Sequence, residues 1–229
     1  MSTLIAIETS TESCSAALLR DGVLTERSEL APRRHAELIL PMIESLLDES
    51  GVSRRQLDAV AVGRGPGAFT GVRLAISVAQ GLALALDIQV VPVSSLAALA
   101  HAAPARTGAA ILAVIDARMG EIYAGCFERT ANGLVDAITE ESVSHAEELV
   151  VPRVDSIVGS GWAVYAEVLA SRLPSAPLFA DGARYPQARA IAQLAAPQFA
   201  AGRSVAPELA LPVYLRDKVA LTLREQRVR

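Results

Sequence analysis

Lysine is almost absent: Lys218 is the only one in 229 residues. A P-loop needs a lysine directly after its last glycine, and the glycine stretch here ends Gly71-Val72-Arg73, so that phosphate site is excluded. The 3 histidines are His35, His101 and His145. A helical metal pair needs a second imidazole four residues on, and from His35 that position is Ile39; the other two have no ligand-type neighbours at such spacing. No metal is expected. No G-x-S-x-G elbow is present, which removes that class of serine hydrolase. Aromatic residues make up only 4%, so alanine, valine and leucine must build the core. The 2 cysteines, Cys14 and Cys126, lie in apolar strand-like runs, as expected of reduced, buried thiols in a cytosolic protein.

Long apolar runs are also missing. Leu74–Leu86 is the longest, interrupted by Gln80, stopped by Asp87 and short of the roughly 20 residues of a membrane span. The opening MSTLIAIETS has neither basic residues nor an extended apolar core, so no secretory signal is expected. The expectation is a soluble, cytoplasmic protein without a membrane partner. A net charge of -4 and a pI near 5.5 give no general attraction to nucleic acid. If RNA is a ligand, something else must supply much of the basic surface.

What is present is a globular pattern: 52% hydrophobic, 20% charged, mean hydropathy +0.35. The length suits one large domain or two lobes. The chain is organised around Asp58–Leu86. Asp58–Val62 has the length and β-branched content of a buried strand. Gly63, Gly65, Gly67 and Gly71, with Pro66 among them, then break it into a loop. Thr70 is the expected N-cap of a helix over Gly71–Leu86. A strand, a glycine loop and a helix N-terminus together describe an anion cradle. Gly63-Arg-Gly65-Pro-Gly67-Ala68 also satisfies the relaxed dinucleotide pattern, but the next strand, Ile88–Val93, runs into Ser94-Ser95 where a ribose-binding acid should stand. Along the helix, Gly71, Ala75, Ala79 and Ala83 form a ridge of small side chains beside a second ridge of Leu74, Val78, Leu82 and Leu86. Such a helix is buried inside its own domain or covered on one face by a second chain.

The remaining elements fall into two similar series. Strands are expected at Thr3–Ile7, Cys14–Arg20 and Val23–Leu30, with a hydroxyl-rich turn Glu8–Ser13 and an Asp21-Gly22 hairpin. A helix follows to Ser50, with Ile39, Met42, Ile43, Leu46 and Leu47 on one face and a kink expected at Pro41. Ser94 or Ser95 caps a helix to about Ala103, and Pro104–Gly108 marks a boundary between lobes 1–104 and 105–229. The second half starts over with strands at Ala109–Ile115, Glu121–Arg129 and Leu134–Thr139. A short helix at His145–Val150, a strand at Ser156–Gly159 and helices at Trp162–Arg172 and Tyr185–Ala201 complete it. Asp116–Gly120 is expected as a turn. Without a legible sequence repeat, the shared plan points to a structural duplication.

For chemistry, the Glu8–Ser13 turn offers the hydroxyls of Thr9, Ser10 and Thr11 to a phosphate, although Glu8 and Glu12 oppose one unless a metal intervenes. A hydrogen-bonded turn with no ligand accounts for the same residues. Asp116 and Glu121 read as turn formers.

Several stretches resemble the TsaB (YeaZ) family. They are Ile5-Ala-Ile-Glu8-Thr-Ser10-Thr, Arg34-His35-Ala-Glu37, Gly63-Arg-Gly-Pro-Gly67-Ala-Phe-Thr-Gly71-Val-Arg73, Val114-Ile-Asp116-Ala-Arg118 and Pro212-Val-Tyr214-Leu-Arg216. The resemblance implies a two-lobed actin-like (ribonuclease H-like) α/β fold with mixed sheets flanked by helices. It implies a non-catalytic paralogue of TsaD, the enzyme that transfers a threonylcarbamoyl group to adenosine beside the tRNA anticodon. TsaD-type proteins hold a metal through a histidine pair on the first long helix, where this chain has His35 and Ile39. No cofactor is implied.

The implied partners are TsaD in a heterodimer, TsaE in a larger complex, a second copy when the protein is alone, and tRNA only through the complex. The implied interface is the first two helices: His35, Leu38, Ile39, Met42, Ile43 and Leu46 on one, Gly71, Ala75, Val78, Ala79 and Leu82 on the other. Thr9, Ser10 and Thr11 would be a vestigial nucleotide site, and the segment 212–229 would pack back on the first lobe. The competing expectations are an actin-like ATPase or small-molecule kinase, a metallopeptidase-like enzyme, and a homodimer with an unrelated partner.

Overall fold

The computed structural model describes residues 2–216. Among the described residues, eleven strands and five α-helices follow in chain order. The first half holds β1 (Leu4–Glu8), β2 (Ser13–Arg20), β3 (Val23–Leu30), α1 (His35–Ser50), β4 (Ala59–Gly63), α2 (Phe69–Leu86), β5 (Gln89–Val93) and α3 (Ser95–His101). The second holds β6 (Ala110–Arg118), β7 (Glu121–Arg129), β8 (Val135–Ala137), β9 (Ser142–His145), β10 (Ser156–Val158), α4 (Ser160–Arg172), β11 (Phe179–Asp181) and α5 (Ala188–Ala200). The structure adds β9 and β11 to the expected elements and reduces the helix expected at His145–Val150 to a single 3₁₀ turn, Ala146–Glu148. Both strands are too short for periodicity to register.

The strands form two mixed sheets. The first runs in the order β3-β2-β1-β4-β5, antiparallel through β3, β2 and β1 and parallel through β1, β4 and β5. The second runs β11-β10-β6-β7-β8, with β9 also paired to β7. Strand alternation sorts the core. Ile5 and Ile7 of β1 and Val60 and Val62 of β4 face Ile39, Ile43 and Leu46 of α1 and Ala75 and Ala79 of α2. Leu4, Ala6, Ala59 and Ala61 point the other way, into a central cluster with Leu96 and Leu99 of α3, Ile191 and Leu194 of α5, and Ile111 and Ala113 of the second sheet. Beyond the second sheet, Leu112, Val114 and Ile122 pack with Leu169 of α4. The order through the molecule is α1/α2, first sheet, α5 and α3, second sheet, α4. Although α5 belongs to the second half of the chain, it packs on the first sheet.

Local chemistry explains most boundaries. α1 continues through Pro41 and ends at Gly51 in the left-handed region, φ 63°. α3 is capped by Ser94, whose Oγ accepts from the Ala97 N–H at 3.1 Å. α2 differs from expectation: it starts at Phe69, so Thr70 lies inside its first turn, and its N-cap is Ala68, which offers no side-chain cap. β6 likewise extends through Arg118, leaving only Met119-Gly120 as the turn. By length and composition α2 could cross a membrane (18 residues, mean hydropathy 1.5), but its inner face is seated on the chain's own sheet.

Candidate functional site

Where the two sheets meet, the β1–β2 turn, the start of α2 and the β6–β7 hairpin enclose a cavity of about 450 Å³. The glycine loop brings the first two together by close backbone approach. A Cβ on Gly67 would overlap the Ser10 backbone, and one on Gly71 would overlap the Thr9 carbonyl. Ala68 N–H donates to the Ser10 carbonyl at 2.7 Å, and the Thr9 hydroxyl donates to the Gly71 carbonyl at 2.7 Å. Thr9 is therefore spent on holding the turn to α2. Ser10 and Thr11 border the cavity, and neither hydroxyl has a partner.

Behind the turn, Glu8 is fully buried. One carboxylate oxygen accepts from Ser10 N–H at 2.6 Å and the other from the Ser95 hydroxyl at 2.7 Å. Burial pushes its pKa up, against the opposing pull of the Ser10 and Ser95 hydrogen bonds. Gly63 belongs to the same arrangement, since a Cβ there would collide with the Glu8 carboxylate.

The second half contributes charge. Arg118 reaches Asp116 at 2.8 Å and Glu12 at 2.8 Å. Arg216, from the segment after the last helix, donates to the Ala117 carbonyl at 3.0 Å and pairs with Glu121, while its Nε has no partner. Val213 N–H donates to the Arg64 carbonyl at 2.9 Å, so residues 213–216 run from the glycine loop to the β6–β7 hairpin along the cavity wall. The Arg73 guanidinium lies 3.1 Å from the Phe69 ring centroid and 5.0 Å from that of Tyr214. Residues 217–229 of the expected packing-back segment lie outside the described residues.

The structure divides the expected interface residues. Ile39, Ile43 and Leu46 are core residues of the chain's own first sheet. Gly71, Ala75 and Ala79 are equally buried, on the side of α2 that faces the chain's own sheet. Their small size lets α2 sit close to β1 and β4, down to contact with the Thr9 backbone. Leu38, Met42, Val78 and Leu82 are only partly buried at the edge of that core. His35 opens α1, half-buried beside the cavity, with Nε2 unpartnered. Sequence reasoning missed Arg33, Arg118, Tyr123 and Arg216 as cavity-wall residues. The Val114–Arg118 and Pro212–Arg216 stretches were the available signals, and neither placed these side chains on a cavity wall.

This architecture is the two-lobed, actin-like α/β class shared with TsaD-type proteins. A family model described as tRNA N6-adenosine threonylcarbamoyltransferase (TsaD) matches residues 22–222. The tRNA threonylcarbamoyladenosine biosynthesis protein TsaB of Escherichia coli (strain K12) is 41% identical over 225 residues, covering 95% of this chain and 96% of that one. Its counterpart in Haemophilus influenzae is 37% identical over 95% of this chain and 94% of its own length. The structure of YeaZ from Pseudomonas aeruginosa superimposes with a TM-score of 0.86 at 46% identity, over 94% of this chain and all (100%) of that one. The chain belongs to the TsaB (YeaZ) family of tRNA threonylcarbamoyladenosine biosynthesis proteins.

Proposed function

We propose that this protein is a non-catalytic subunit that pairs with a TsaD-type threonylcarbamoyltransferase and supports the modification of adenosine beside the tRNA anticodon. One observation carries the proposal: the outward side of α2 is uncharged and lined with small and apolar residues. Leu40 and Leu84 are exposed to 49% and 62%. On α2, Ser77, Gly81 and Ala85 form an exposed ridge of small residues at four-residue spacing. Val78 and Leu82 flank it on α2, and Leu38 and Met42 of α1 are likewise only partly buried. A small ridge flanked by leucines lets a partner helix approach closely and bury apolar area.

The first helix supports a subunit without its own chemistry. Four residues after His35 stands Ile39, which is 1% exposed, packed into the core and without a ligating atom. Among the described residues, no group of three or more His, Cys, Asp or Glu is placed to hold a metal ion. The same outward face serves a second copy of the chain when the enzyme is absent, and a TsaE-type component joins only the larger assembly, in the cytoplasm. tRNA contacts come through the complex, consistent with the net charge of -4.

Reconstitution tests this directly. Threonylcarbamoyladenosine formed on tRNA by the TsaD partner rises when this subunit is added, and falls back when Leu84→Glu is used instead. Equal yields with and without the subunit would sink the proposal.

A further inference from the structure

The C-terminal end of α3 carries a titratable ring that neither the cavity nor the pairing surface uses. Arg129 of β7 closes that end: its Nη2 donates to the His101 and Ala103 carbonyls at 2.8 Å. Its Nη1 donates to the Gly133 carbonyl of the β7–β8 turn at 2.7 Å, and to Nδ1 of the His101 ring at 3.1 Å. A guanidinium stays charged and has no atom that accepts a hydrogen bond. Nδ1 must therefore be the accepting nitrogen, which leaves the single ring proton on Nε2. That proton meets Gln193 Oε1 of α5, 3.2 Å away. One neutral tautomer thus joins α3, α5 and the β7–β8 hairpin.

A second proton on the ring would set N–H against N–H and bring two positive charges together. Nothing around the ring offsets this. α3 carries no other charged residue and packs against β6, β7, β8 and α5. On α5 the charged residue is Arg189, one turn before Gln193 and paired with Glu26. On β7, Glu128 is exposed and alternates to the opposite face from Arg129, while Glu121 lies at the far end, paired with Arg216. Asp136 of β8 is exposed, and Asp116 and Arg118 of β6 pair with each other at the cavity end. In the segments beside the end of α3, Arg106 is exposed and Arg184 donates to the Ala102 carbonyl at 2.9 Å. The helix carbonyls that would welcome a cation are already taken by Arg129. Burial, and then the Arg129 charge, hold the His101 pKa below its ordinary value.

We propose that His101 is a proton-operated latch: neutral, it ties Arg129 to Gln193 and holds the β7–β8 hairpin against α3 and α5; protonated, it releases Arg129 and loosens the hairpin. The latch is independent of pairing through α1 and α2.

The test is imidazole and amide NMR on the isotopically labelled full-length protein as pH is lowered from about 8 to about 5. At the upper end, Nε2 should carry the proton and Nδ1 should show the shift of an unprotonated nitrogen. As the ring takes its second proton, the Thr130, Gly133 and Ala103 amides should shift with the same midpoint, while those of β1 and β4 stay in place. Hydrogen exchange at Thr130 and Gly133, corrected for its intrinsic pH dependence, should accelerate in step. Each unit by which the latch lowers the ring's pKa corresponds to about a tenfold rise in hairpin opening. His101→Gln keeps an acceptor for Arg129 and should abolish the pH response. A proton on Nδ1 at the upper end would overturn the proposal, as would a ring titration that leaves the hairpin unchanged, or the same pH response in folded His101→Gln. If that variant does not fold, the wild-type tautomer and the agreement of the two midpoints decide.

Discussion

Arg118, in the β6–β7 hairpin, lies 2.8 Å from the Glu12 carboxylate in the β1–β2 turn, a contact between residues 106 positions apart that joins the two sheets across the mouth of the cavity. Asp116 orients the same guanidinium from within the hairpin, at 2.8 Å. The Arg118 side chain is 71% exposed, so the ion pair is screened by solvent. Glu12→Gln should therefore cost less than about 1 kcal/mol of stability. Its expected signature is local: faster amide hydrogen exchange in β6 and β7, with the first sheet unchanged. A loss of several kcal/mol in urea unfolding would show that this contact holds the fold rather than the cavity mouth.

The inner and outer sides of α2 make opposite predictions. Ala79 is fully buried against the chain's own sheet, so Ala79→Leu overfills the core and should cost about 1–3 kcal/mol in thermal or urea unfolding. Leu84 is 62% exposed, and Leu84→Glu should change stability by no more than about 0.5 kcal/mol. Size-exclusion chromatography should nevertheless show Leu84→Glu separating from its partner. Normal melting of Ala79→Leu would mean that α2 does not sit on the sheet as described.

Glu8 gives a pH prediction. Burial raises its pKa in the folded state above that of the unfolded chain, so between the two values the folded protein holds more protons. The stability it contributes is complete below the unfolded value near 4.5 and is lost as pH rises through the raised folded value. Glu8→Gln keeps an acceptor for Ser10 N–H and removes the titration. Its stability relative to the parent should grow as pH rises from acid to neutral, read from unfolding midpoints at several pH values. A parallel pair of curves would refute this.

Arg129 is a buried cation held by carbonyls. It is 7% exposed and donates to the His101 and Ala103 carbonyls at 2.8 Å and to that of Gly133 at 2.7 Å. Arg129→Met leaves these acceptors unpaired and should cost about 3 kcal/mol. Lysine should rescue only part, since it cannot present a planar fork. The His101 pKa, lowered first by burial and then by the Arg129 charge, should rise in Arg129→Met, as imidazole NMR would show.

Much of the fold was legible because its core strands are short apolar runs and its breaks use glycine, proline or serine. Ser94 capped its helix as expected, and Asp21-Gly22 made the expected hairpin. Thr70 failed as a cap because Gly71 must seat against the Thr9 carbonyl, which pulls the helix start back to Phe69. The hydroxyl turn at Thr9–Thr11 was visible in the sequence, but the wall that faces it was not. Arg118 and Arg216 reach it only through pairings that join distant parts of the chain.

Local pattern and composition determined the strand–loop–helix core, the family motifs and the want of a second histidine after His35. They could not choose between the ridges of α2, because Gly71-Ala75-Ala79-Ala83 and Ser77-Gly81-Ala85 are both small and share a four-residue period. Only the sheet decided. Seating α2 tightly on β1 and β4 demanded the ridge that carries no polar atom beyond its backbone, and that turned the other ridge, with its serine, toward solvent.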